Sequence, residues 1–282
     1  MAGDGIGDWL KRLFGGGAPG QGASRPAPTG GGIGGAVGQH RPPPRVPFPY
    51  PVTIVHGSAA LATWQRIRDA GEGWPVVLGE EANIGLIEES FGYEPRSPEA
   101  ILAAARDLDW PAWLEERRAR DDAQAIAYLE SQNIPVERED APPEIGEWPP
   151  EDEVVAGGFA LDTGLMTRRP IERVAIATLP CRDSWEAMAY LKWGGWNANP
   201  DAEYHVAAIR SWHERYGAEL VGVLRDVVQI RVATRPATRD EALALAREHY
   251  LYCNDTVDQG TGALAPLAAE LMASDWWYFW WD

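Results

Sequence analysis

At 282 residues and 45% hydrophobic content, the chain is long enough to bury one large core or two small ones. Its formal net charge of -17 repels phosphate backbones and anionic membrane surfaces, so nucleic acid is a poor partner and a basic protein a better one. Two cysteines, Cys181 and Cys253, cannot form a disulfide framework, and no apolar run has the length of a signal peptide or membrane span, so the expectation is a cytoplasmic protein without a cofactor.

Residues 1–14 end in Asp8-Trp9-Leu10-Lys11-Arg12-Leu13-Phe14, two turns of amphipathic helix at most. Residues 15–51 are rich in Gly and Pro and read as a flexible linker stiffening into polyproline II near Pro42-Pro43-Pro44. The tail 1–51 precedes an N-terminal α/β region, 52–140. Val52–Val55 reads as a strand, Ser58 as the N-cap of a helix stopped by Gly71, and Trp74–Gly79 as a second strand, together a βαβ unit. Helices are predicted over 82–90, 98–107 and 111–131, the last with Glu116 and Arg120 paired on its wet face. No chemistry gathers in this half.

The acidic, Pro-rich residues 141–155 read as a boundary, and 156–282 as a C-terminal α+β domain. Its elements are a strand at 174–177, a helix capped by Ser184 and running to about Leu191, a helix from about Asp201 to Tyr216 stopped by Gly217, and strands at 219–224 and 227–233. Arg225-Asp226 joins these strands as a tight hairpin. Thr238 and Glu241 form a capping box for a helix to Tyr252. After a polar loop at 254–262 comes an amphipathic helix carrying Leu264, Leu267, Ala268, Leu271 and Met272. The chain closes on Trp276-Trp277-Tyr278-Phe279-Trp280-Trp281, a strand needing cover on both faces. The order βααββααβ predicts a mostly antiparallel sheet with helices packed on it.

Several blocks together carry a resemblance: Gly194-Gly195-Trp196-Asn197, the run 212–221, Ala246-Arg247-Glu248-His249-Tyr250, Asp255 with 257–260, and 277–282. Over roughly 174–282 the chain resembles the bacterial family catalogued as domain of unknown function 4253. The resemblance implies a common domain and shared polar positions, and no activity.

Three groups are candidate sites. Asp255, Asp258 and Gln259 lie in the polar loop, where two carboxylates three apart could bind a hard cation or divide acid and base roles; local Asx hydrogen bonding is the plainer reading. His249 and Cys253, four apart on a helix, could ligate zinc with His213 and Cys181, though both lie on a packing stripe with Ala242 and Leu245. His205 falls on a similar stripe with Ile209, Trp212 and Tyr216. Trp196 and Asn197, beside paired glycines, could hold a flat ligand, anchor a partner, or lie as a lid on the aromatic strand. No nucleophile is paired with a base, so the leading expectation is a non-enzymatic, adaptor- or immunity-like interaction module with an acidic, Trp-rich surface. The rival is an enzyme or binding protein for a small polar molecule in a cleft of Trp196, Asn197, His213, Asp255, Asp258 and Gln259, with a carboxylate as general base.

Overall fold

A computed structural model describes residues 46–110, 116, 127, 143–164, 167, 169–196 and 198–281. The expected N-terminal helix, the linker up to residue 45, most of the predicted helix 111–131, Asn197 and Asp282 lie outside the described residues, while Phe48 and Tyr50 at the end of the linker pack on the core.

Six strands, β1 (Val52–Val55), β2 (Trp74–Glu80), β3 (Val174–Leu179), β4 (Glu219–Val223), β5 (Val227–Arg231) and β6 (Trp276–Trp280), form one sheet in the order β1-β3-β2-β4-β5-β6. Every pairing is antiparallel except β2 with β4. The helices are α1 (Ala60–Ala70), α2 (Ile84–Tyr93), α3 (Pro98–Arg106), α4 (Ala187–Leu191), α5 (Ala202–Tyr216), α6 (Arg239–Tyr252) and α7 (Leu264–Ala273). The protein is α+β, and from β3 onward its elements follow the predicted order.

Strands before and after the acidic segment share this sheet. β2 is enclosed by β3 and β4, and Trp74 to Gly79 are all buried, which suits an apolar run without alternation. β1 and β2 run the same way with β3 inserted between them, so the βαβ unit is split. Residues 144 and 145 of the acidic segment dock on α7: Leu264 and Ala265 donate their N–H groups to the carbonyls of Glu144 (3.0 Å) and Ile145 (2.7 Å). These are first-turn donors of a helix whose N-cap, Ala263, has no capping side chain, so backbone replaces it.

Aromatic rings fill the space between the sheet and α5–α6. Trp277, Phe279 and Trp281 are buried, and Trp212 stacks on Phe279 with centroids 5.5 Å apart. The alternate residues of β6 are half-buried beneath residues 157–161, where Phe159 meets Trp276 and Gln229 bonds both Gly158 O (2.7 Å) and Ala160 N (3.0 Å). Leu161 lies against Gly222, leaving no room for a side chain there.

Three local expectations need correction. Ser58 does not cap α1; His56 accepts the Ser58 N–H in a short 3-10 turn that leads into it. Ser184 donates its hydroxyl to Ala218 O instead of capping a helix. The loop after α6 is a π-helix, Thr256–Thr261, ended by Gly262 in the left-handed region, whose N–H reaches Val257 O at 2.8 Å.

Candidate functional site

Among the described residues no tryptophan is exposed: each is buried or half-buried, and the large hydrophobics most open to solvent there are Val46, Tyr93 and Ile145. Tryptophan buries more apolar area than any other side chain, so a core facing two long helices absorbs it.

A cleft of about 540 Å³ opens between α2 and the turn after α4. One wall is helical, with Ile87 at its base and Glu89, Ser90 and Tyr93 toward the mouth. The other is the turn from Lys192 to Trp196, with Arg225 beside it. This turn has an unusual backbone. Lys192 has φ 50°, the one positive φ outside glycine among the described residues, and Gly194 and Gly195 follow at 120° and 88°. Lys192 ends α4 as a left-handed cap, a position that favours glycine. Its ammonium donates to the Glu94 carbonyl at 2.9 Å.

Both glycines are required by φ, and Gly194 by backbone contact as well. A Cβ on Gly194 would strike the Pro200 carbonyl and lie 2.9 Å from His205 Nε2; one on Gly195 would lie 2.6 Å from Asp201 Oδ1. Main-chain bonds then close the turn, from Gly195 N to Pro200 O (2.9 Å) and from Asn199 N to Trp196 O (2.9 Å). Beneath it, buried His205 bonds Asn199 Oδ1 through Nε2 (2.8 Å) and Tyr252 through Nδ1 (2.6 Å). An amide oxygen only accepts, so Nε2 carries the proton and Tyr252 donates to Nδ1. Burial raises the Tyr252 phenol well above its ordinary value and keeps that proton in place.

Rings link the cleft to the sheet. Trp196 packs edge-on against Trp193 (4.9 Å), which packs against Trp281 (5.6 Å), the last aromatic of the chain. Trp193 Nε1 also donates to Leu224 O at 2.8 Å, tying the β4–β5 hairpin to the turn and setting Arg225 at the cleft. Glu94, near the rim, is bound by Arg96, which holds its carboxyl below the ordinary value.

Of the residues singled out in the sequence, Trp196 lines this cleft; His213, Asp255, Asp258 and Gln259 do not. The loop carboxylates are engaged locally: Gln259 Nε2 donates to Asp255 Oδ1 (2.8 Å) and Asn254 Nδ2 to Asp258 Oδ2 (3.0 Å). His213 packs at a tilt against Trp185, centroids 4.7 Å apart, and bonds Ala218 O through Nδ1 at 2.9 Å. His249 and Cys253 are buried, with Cys253 Sγ donating to Trp280 O at 2.9 Å. Burial lowers the His249 pKa to about 3, raises that of Cys253, and raises that of Cys181 to about 12. No three His, Cys, Asp or Glu side chains converge among the described residues, so the proposed zinc set is not assembled there.

Lys192 and Arg225 were not among the expected site residues. The signal for Lys192 lay in a helix end followed by Lys-Trp-Gly-Gly, where glycine comes two residues after the cap that wants it. Arg225 read only as half of a hairpin turn.

A sheet with helices packed on it and an open, partly aromatic cleft define an α+β protein with a ligand-sized depression at the Gly-Gly turn. Residues 175–282, the C-terminal region that supplies the Lys192–Trp196 wall, match the family described as Domain of unknown function (DUF4253). No curated protein and no solved structure matches the chain. Among the described residues, no helix is long and apolar enough to cross a membrane.

Proposed function

We propose that the chain is a binding protein for a small polar molecule, seated between α2 and the Lys192–Trp196 turn. The observation that carries this reading is Lys192 in a left-handed conformation, next to two positive-φ glycines, at the wall of a cavity of about 540 Å³. Strained backbone persists where its surroundings enforce it, and such positions cluster at binding sites; the volume is within the range of ligand pockets. Trp196 offers a half-buried ring, while Lys192 and Arg225 offer donors. The reading assigns no reaction, because the described lining pairs no nucleophile with a base: Ser90, its hydroxyl, is bonded to the Ile87 and Leu191 carbonyls.

Native mass spectrometry of the untagged protein, purified gently from its own host cells, tests it. A retained small mass that disappears in a folded Trp196→Leu variant is the expected result. A protein released as salt is raised would favour the second reading, an interaction module for a basic protein. That reading keeps the support of the net charge of -17, but the inward-turned tryptophans supply it with few anchors.

A further inference from the structure

We infer that the cleft is also the docking site of the chain's own tail, the segment Trp9–Phe14, which competes in cis with the small molecule. The inference rests on the cleft being a binding site. It starts from where the tail joins the fold. The described residues begin at Val46, and the chain lies at once against α2: Phe48 donates its N–H to Glu88 Oε1 at 3.0 Å, and its ring meets Phe91 at 6.1 Å. The same helix walls the cleft through Ile87, Ser90 and Tyr93, and the Lys192 ammonium of the facing wall lies 5.9 Å from the Phe91 ring. Between Phe14 and Val46 there are 31 residues. A Gly-rich chain of that length spans about 30 Å on average, enough to pass around one helix. Tethering at this range gives an effective concentration on the order of millimolar, so a contact too weak to form between separate molecules is populated within one.

The segment also suits the cleft chemically. Within residues 1–45 every aromatic residue and every leucine falls in 9–14, where Trp9, Leu10, Leu13 and Phe14 flank Lys11 and Arg12. The cleft offers Leu86, Ile87 and the Trp196 ring, with Tyr93, 65% exposed, at its mouth. Its volume of about 540 Å³ takes a few side chains of a peptide. Charge favours the pairing at long range and at the site. Residues 1–45 hold five basic residues against two acidic ones, a net of +3, which leaves -20 of the total -17 on residues 46–282. At the cleft, Glu89, Glu94 and Asp201 outnumber Lys192 and Arg225, and Arg96 behind them is shared between Glu94 and Glu203.

A nitroxide on Gly17→Cys of the full chain tests this, because Cys181 and Cys253 are buried. Proton–nitrogen spectra are compared before and after the label is reduced. The amides of Ser90, Tyr93, Gly194 and Gly195 are expected to lose most of their intensity, and to keep it when Trp9→Ala and Phe14→Ala are added to the labelled chain. Broadening spread evenly over the molecule, or centred away from the cleft, would overturn the inference. So would cleft broadening on an isotope-labelled chain that is mixed with a separate nitroxide-bearing chain, since the tail would then belong to a second copy. Native mass spectrometry separates this inference from the reading beneath it. A small mass lost in Trp196→Leu, with cleft amides that stay sharp, would overturn the tail and leave the binding site. Sharp amides with no retained mass would overturn both.

Discussion

Gly194 lies directly over His205: a Cβ on the glycine would stand 2.9 Å from Nε2 of a histidine that is 0% exposed and bonded at both ring nitrogens. The turn that walls the cleft therefore rests on a buried polar network with no slack. Replacing Gly194 by Ala adds an unfavourable φ to a clash with Pro200 O and His205, and is expected to cost about 2–5 kcal/mol. Gly262 gives the control. It too has a positive φ, 75°, but open space around it, so Gly262→Ala should cost only about 1 kcal/mol. Urea unfolding of both variants measures the difference, and equal costs would contradict the close packing of Gly194 on His205.

Lys192 has the opposite balance. Its side chain lines the cleft while its backbone is strained, so removing the side chain by Lys192→Gly should stabilise the fold by about 0.5–1 kcal/mol, less a few tenths for the lost bond to Glu94 O. Lys192→Ala keeps the strain and loses the bond, so it should be slightly destabilising. A thermal or urea series in which Gly proves less stable than Ala would mean that the left-handed cap is not strained. Stability gained at the expense of ligand affinity is the pattern expected at a binding residue.

The family match begins at Ala175, yet the strand that joins β3 to β4 is β2, a hundred residues earlier. Without residues 74–80, β3 and β4 would each present a bare edge, and Trp74 Nε1 would no longer cover the Leu220 carbonyl, a bond of 2.9 Å. A fragment of residues 174–282 is expected to stay unfolded or to aggregate, while 46–282 folds. Amide dispersion in a proton–nitrogen NMR spectrum decides it. A dispersed, monomeric spectrum from the short fragment would show that the matched region closes its sheet without β2.

How much of this was legible follows from the range of the forces involved. The Thr238 cap, the Gly217 cap and the Arg225-Asp226 hairpin are local devices, and the structure has all three where the residues put them, although the Glu241 carboxylate takes the Ala237 N–H in place of the Thr238 N–H that a capping box uses. Strand pairing across a hundred residues leaves no local trace except the unbroken apolar run Trp74–Leu78, which in hindsight marks a strand enclosed on both sides. The π-helix at 256–261 escaped because the same polar residues suit a loop and an i→i+5 turn equally. At the cleft, the Gly-Gly-Trp wall was visible as a turn between tryptophans. Its facing wall on α2 was not, since Glu89 and Tyr93 are unremarkable until the fold brings Lys192 opposite them.

His249 provides a test by pH. Its ring is 1% exposed, boxed by Trp277 at 4.6 Å, Phe279 at 4.8 Å and Trp212 at 5.1 Å, and its Nε2 has no hydrogen-bond partner. Burial, and secondarily the Arg215 charge, lower its pKa from 6.5 to about 3. Between those values the unfolded chain binds a proton that the folded chain refuses. Stability is therefore whole above pH 6.5 and falls as pH drops toward 3, by about 1.4 kcal/mol per pH unit at most. From pH 6.5 to 5 the loss is about 2 kcal/mol. The carboxylates held down by arginines, Asp275 by Arg235 and Glu81 by Arg173, lose stability lower, below their ordinary values of 3.8 and 4.5. Subtracting the urea-unfolding curve of His249→Phe from that of the natural chain between pH 6.5 and 4.5 thus isolates the imidazole. The difference should slope upward with pH whatever the absolute stability of the variant. A flat difference would mean that His249 takes up its proton inside the aromatic box as readily as in the unfolded chain, the rings then stabilising the cation enough to cancel its desolvation.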